Sequence, residues 1–115
     1  VAIMYREELA GVAGFHDIDW ADRKTEIGGW LGKKYEGRGL MSKTCRVLVD
    51  HALTTWDLHR VEISCGTENV RSCAVPERLG FTREGTMREA EYLNGKFNSH
   101  HVYGLLQSEW KNRNQ

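Results

Sequence analysis

Apolar and polar positions alternate along the first quarter of the chain, and the period then lengthens. VAIMY (residues 1–5) is a short β-rich run closed by the polar turn Arg6-Glu7-Glu8. LAGVAGFHDID (9–19) predicts a second strand, weakened and bent by Gly11 and Gly14. TEIGGWL (25–31) predicts a third, whose paired glycines imply a bulge or a close backbone approach. Such short connections favour an antiparallel meander. From residue 40 to 56, Leu40, Met41, Cys45, Leu48, Val49, Ala52, Leu53 and Trp56 recur at helical spacing. RVEISC (60–65) alternates as a strand again. Asn69 is placed to cap a second helix that stops at Gly80. Pro76 lies inside that helix, where it removes one hydrogen bond and kinks it. Residues 82–93 are strand-like but polar, Asn94-Gly95-Lys96 is a hairpin turn, and 100–107 is a last strand.

The order β-β-β-α-β-α-β-β is that of an α/β chain with a mixed sheet. The strand-helix-strand passage over residues 25–65 implies a right-handed crossover. A length of 115 residues suits one domain over 1–115. Pro76 is the sole proline, which argues against linkers and disordered tails.

Charge narrows the partners. Sixteen basic residues balance sixteen acidic ones, so no global field draws the chain to nucleic acid or to a membrane surface. No apolar run approaches the roughly 20 residues that span a bilayer. No leader pattern opens the chain; Val1 already lies in a strand-like run, which points to residues upstream. Cys45, Cys65 and Cys73 form no C-x-x-C pair, and three reduced thiols in a cytoplasmic protein are expected.

Against that balance, GGWLGKKYEGRGLMSK (28–43) gathers glycine and positive charge at one strand-to-helix corner. The Walker loop fails here, because Arg38-Gly39 follows Gly32 and Gly37 where Lys and Ser/Thr are required. The Rossmann fingerprint fails too, with Ser42 standing at the third glycine position. The chemistry outlives both motifs. Glycines allow successive N–H groups to face one concavity, and the helix opening near Leu40 adds its free amides and positive dipole end. Lys33, Lys34 and Arg38 surround a corner suited to a phosphate or pyrophosphate. The plainer alternative is a flexible glycine turn with solvated lysines.

KYEGRG (34–39) resembles motif A of the GNAT acetyltransferases, Gln/Arg-x-x-Gly-x-Gly/Ala, departing from it at Lys34. NVRSCAVPERLGF (69–81) is similar to the more specific Asn-x-x-Ser…Gly-Phe helix of that superfamily. TEIGGWL before motif A and EAEYLNG after the second helix resemble the RimL-type ribosomal-protein N-terminal acetyltransferases. The resemblance covers essentially the whole chain. It implies a GNAT fold lacking the further strand and two helices with which such domains normally begin. Residues 1–5 would then be an exposed sheet edge.

The resemblance implies acetyl-CoA as co-substrate, with Trp30, Leu31, Lys34, Gly37, Arg38, Gly39, Leu40, Asn69 and Ser72 around it. Backbone N–H groups of Arg38, Gly39 and Leu40 would hold the pyrophosphate, and the pantetheine arm would lie along residues 27–31 as an added strand. An N–H near Leu31 would serve the oxyanion. Ser72 would protonate the leaving thiolate, and Glu91 would deprotonate the amine, with Glu84 and Glu89 as rivals. Asn69 and Ser72 also read as simple helix-cap residues, and Arg78 as a phosphate contact or a surface cation. Cys73 lacks an activating His. His100-His101 point to opposite strand faces and cannot chelate a metal together; His16 is a further cleft candidate.

The implied activity is direct transfer of an acetyl group to the α-amine of a peptide or protein, by a cytoplasmic homodimer without a metal. A non-catalytic acyl-CoA-binding module and an acetyltransferase of a small amine are the alternatives, and the balanced charge argues against a polycationic acceptor.

Overall fold

The computed structural model describes residues 1–113. Six strands form one mixed sheet in the order β1-β2-β3-β4-β6-β5. β1 (Ala2–Tyr5), β2 (Glu8–Asp19) and β3 (Lys24–Leu31) are the antiparallel meander that alternation and short turns predict. α1 (Leu40–Asp50) carries the chain over to β4 (Arg60–Gly66), which runs parallel to β3. α2 (Val70–Arg78) leads to β5 (Thr82–Leu93) at the edge, and β6 (Lys96–Leu106) returns between β5 and β4.

The apolar period of α1 is its packing face. Cys45, Leu48 and Val49 are buried, and one wide π turn at His51–Thr55 buries Ala52 and Leu53 before the helix ends at Trp56. Against them lie Ala10, Ala13, Ile27, Val61, Tyr103 and Leu105, the inward members of their strands. Val12 and Trp30 pair across β2 and β3 on the opposite face, where both are exposed.

Three expectations are corrected here. The last strand begins at Lys96, and its end passes into an unforeseen helix, α3 (Gln107–Arg113). One apolar side chain anchors that helix: Trp110 is buried and donates to Asp50 Oδ1 at 3.0 Å, while Glu109 Oε1 accepts from the Leu106 amide at 2.8 Å. A single anchor leaves no helical period to read. Second, Gly28-Gly29 form no bulge. The register from Gly11 with Leu31 to His16 with Glu26 is unbroken, and a Cβ on Gly29 would strike the Val12 carbonyl and lie 2.8 Å from Ala13 Cα. Close backbone approach is the reason for glycine at Gly29. Third, Cys65 and Cys73 are joined in a disulfide, leaving Cys45 as the free thiol. The end of β4 and the first turn of α2 meet with their Cα atoms 5.5 Å apart, a proximity hidden in sequence by the turn between them.

Candidate active site

β3 and β4 pair over only three positions, Lys24–Glu26 with Arg60–Glu62, and the strands are unpaired beyond them. The Gly32 amide donates to Ala10 O at 2.7 Å, on the β2 side. Amides alternate along a strand, so those of Leu31 and Gly29 face the gap between β3 and β4. A free strand edge thus lines a cleft in mid-sheet.

The glycine loop closes one end of this cleft. Gly37 and Gly39 hold φ of 80° and 74°, a left-handed conformation that other residues resist. Gly39 is the N-cap of α1 and offers no side chain to it, and the first turn contains no acidic residue. The first-turn amides and the positive end of the dipole are left for an anion. A cavity of about 310 Å³ lies here, lined by Trp30, Leu31, Gly37, Gly39, Leu40, Asn69 and Ser72 among others. Those seven are the cofactor-binding residues expected from sequence, less Lys34 and Arg38.

Lys34 and Arg38 turn towards β1 and β2. Lys34 Nζ is 3.0 Å from Glu8 Oε2, which also accepts from the Tyr35 hydroxyl at 2.6 Å. The Tyr35 hydrogen bond, then Lys34, hold the Glu8 carboxyl below its ordinary pKa, and the same carboxylate raises that of Lys34. The Arg38 guanidinium lies 4.9 Å from the Tyr5 ring centroid, with Nη1 3.3 Å from its hydroxyl. The cations lining the cavity are Arg71 and Arg78. Arg71 Nε sits 3.5 Å from Glu36 Oε2. Sequence reasoning missed Arg71, since one of two variable positions in Asn-x-x-Ser carries no signal of its direction. It also missed Ser42, whose buried hydroxyl lines the cavity with no hydrogen-bond partner among the described residues. A buried orphan hydroxyl suits a ligand oxygen. Cys45 lines the same cavity, and burial pushes its thiol pKa up to about 11.

Asn69 caps α2, its Oδ1 accepting from the Ser72 amide at 3.1 Å, and its own amide donates to Gly66 O at 2.9 Å. The cap directs Ser72 to the cavity, and the disulfide at neighbouring Cys73 pins that turn to β4. Cys73 is thereby engaged as a disulfide sulfur.

Glu91 lies outside the cavity lining, on the exposed hairpin, with Oε1 3.2 Å from His100 Nε2. Its rivals are differently engaged. Glu84 is bound through both oxygens to Arg60, which holds its carboxyl below the ordinary range. Glu89 sits in an irregular stretch of β5 with φ of 49°, its amide donating to Ser99 Oγ at 3.0 Å. His101 opposes Cys65 and contacts Thr86 Oγ1 through Nδ1, while His100 opposes Gly66. Among the described residues no cluster of metal-ligating side chains occurs. His16 is exposed and lies over Gly28, where a Cβ would come within 2.7 Å of its ring.

A free strand edge beside a glycine-led helix start is the layout implied by the KYEGRG and NVRS blocks. Residues 1–82 match the acetyltransferase (GNAT) domain family. The chain belongs to that family. It is 39% identical over 109 residues to a putative ribosomal N-acetyltransferase of Bacillus subtilis, YdaF, covering 95% of this chain and 60% of that protein. It is 34% identical over 104 residues to the ribosomal-protein-serine acetyltransferase of Escherichia coli, covering 90% of this chain and 58% of that one. Among solved structures, the microcin C7 self-immunity acetyltransferase MccE, in complex with acetyl-CoA and AMP, superposes with a TM-score of 0.82 at 33% identity, covering 89% of this chain and 57% of that one. This GNAT chain spans about 60% of the length of these two curated relatives. No helix in its described residues is long and apolar enough to cross a membrane.

Proposed function

We propose that this chain carries the donor site and part of the catalytic apparatus of an acetyl-CoA-dependent N-acetyltransferase, acting on the α-amine of a peptide or protein. The observation that carries the reading is the cleft where β3 and β4 part, facing the uncapped start of α1. The donor's pyrophosphate meets the amides after Gly37 and Gly39, the Ser42 hydroxyl and the Arg71 and Arg78 side chains. Its pantetheine arm extends β3 as an added strand, and the inward Leu31 amide receives the developing oxyanion.

Transfer is direct. The amine nitrogen attacks the thioester carbonyl, the C–S bond breaks and its electron pair leaves on sulfur. The Ser72 hydroxyl donates a proton to that thiolate and is reprotonated by the second proton, which the nitrogen sheds as the amide forms. Glu91 takes the proton that the ammonium must lose before attack. The names of the ribosomal-protein relatives support a protein as acceptor.

The test is incubation of the chain with acetyl-CoA and short peptides of varied N-termini, followed by mass measurement. A 42 Da increment on selected N-termini, lost in Glu91→Gln with donor affinity retained, is the expected result; roughly a hundredfold of rate or more rests on such a base. Acetyl-CoA bound without any increment makes the chain a binding module. Acetylation of spermidine in preference to every peptide makes it a small-amine enzyme.

A further inference from the structure

We propose that His100 is a positioning residue for Glu91, donating from Nε2 to Oε1 and leaving Oε2 to receive the amine's proton. The inference rests on Glu91 being the base. A carboxylate can only accept, so the imidazole Nε2, at 3.2 Å, is the donor.

Backbone register builds this pair. Met87 opposes His100, and regular continuation would set Glu89 opposite Asn98 and Glu91 opposite Lys96, beside the hairpin turn. Instead Glu91 opposes Asn98. Two extra residues of β5 are taken up between Met87 and Glu91, at the left-handed Glu89 whose amide binds Ser99 Oγ. The turn itself pins Leu93 opposite Lys96 and Glu91 opposite Asn98, and the irregularity leaves Met87 rather than Glu89 opposite His100. Glu91 is therefore the same-face diagonal neighbour of His100, within reach of its ring.

The imidazole occupies a place that fits the role. Its side chain is 22% exposed against 48% for Glu91, so His100 is the fixed member and the carboxylate the accessible one. Across β4 it faces Gly66, where an added Cβ would meet nothing within 4 Å. Gly66 O accepts from the amide of Asn69, the residue that caps the turn carrying Ser72. His100 therefore stands between the proposed base and the loop of the proposed acid. A carboxylate on an exposed strand would otherwise sample several rotamers; one hydrogen bond reduces them and commits a single oxygen.

Four single variants, one double variant and one spectrum test this. His100→Ala should keep acetyl-CoA affinity and melting temperature, keep KM for the peptide within about twofold and lower kcat roughly tenfold, within the range of coupling between contacting residues. His100→Gln, whose amide nitrogen can still donate, should recover most of kcat. In a Glu91→Gln background His100→Ala should add nothing further. NMR should show a slowly exchanging Nε2–H proton on His100 that disappears in Glu91→Ala. If Glu91→Gln leaves kcat unchanged, the base assignment is wrong. If Glu91→Gln is impaired while His100→Ala is not, the base stands and His100 is no positioner. A drop in melting temperature that parallels kcat, or an equal loss in the Glu91→Gln background, also overturns the proposal. Without measurable turnover the Nε2–H signal decides alone: absence, or persistence in Glu91→Ala, rules it out.

Discussion

Arg71 Nε and Glu36 Oε2 lie 3.5 Å apart, joining the first turn of α2 to the glycine loop, and both residues line the cavity. Glu36 is thus a carboxylate beside an anion site, neutralised by the cation opposite. Arg71→Ala should weaken acetyl-CoA binding about tenfold or more, the scale of a hydrogen bond to a charged group. Lys34→Ala, which removes a cation already engaged by Glu8, should change affinity less than twofold. Calorimetric titration of the two variants side by side checks the contrast.

Two glycines should respond differently to one methyl group. Nothing lies within 4 Å of a Cβ on Gly39, so Gly39→Ala suffers only its φ of 74° and should cost about 1–2 kcal/mol. Gly29→Ala forces β3 away from the Val12 carbonyl and the Ala13 backbone, an overpacking expected to cost about 1–3 kcal/mol or more. Because it also moves the strand edge that lines the cleft, it should reduce donor affinity together with stability. Urea denaturation and donor titration of both variants separate strain from displacement.

The thiols give a count. In denaturant without reductant, alkylation should modify Cys45 alone, and after reduction all three cysteines. In the native protein Cys45 should resist reagent at neutral pH, because it is buried and its pKa is pushed up to about 11. Reduction should lower stability by about 2–3 kcal/mol for so short a loop. Mass spectrometry after alkylation, with melting curves in both redox states, is the check.

Acid should loosen the sheet through Glu84. Arg60 holds its folded pKa below the ordinary 4.5, so its contribution is present above that value and lost as pH falls through the folded pKa. Unfolding free energies measured from pH 6 down to 3 should fall more steeply for the wild type than for Glu84→Gln.

Much of this was legible in the chain, and for local reasons. The period change at Leu40, the Asn69 cap, the stop at Gly80 and the Asn94-Gly95 turn each write their structure within a few residues. What escaped was set by distant partners. The side chains of Arg38 and Lys34 take their direction from Tyr5 and Glu8, which arrive on β1 and β2. Arg71 looks like surface until the helix turns it towards Glu36. Regular alternation would make Glu89 the twin of Glu91, and only the register of β6 reveals the slip that separates them. Cys65 and Cys73 are eight residues apart, yet their bond needs the return of α2 onto β4.

The three-position pairing of β3 with β4 also bears on how the molecule assembles. Each antiparallel half of the sheet can zip from its own tight turns, β2 with β3 and β5 with β6. The seam between the halves must await a crossover that spans residues 32–59, with its loop-closure entropy, and it then gains only a short ladder. The cleft proposed to receive the donor is accordingly the last region expected to form and the first to exchange its amides with solvent, and a bound donor bridging the seam should protect both halves at once.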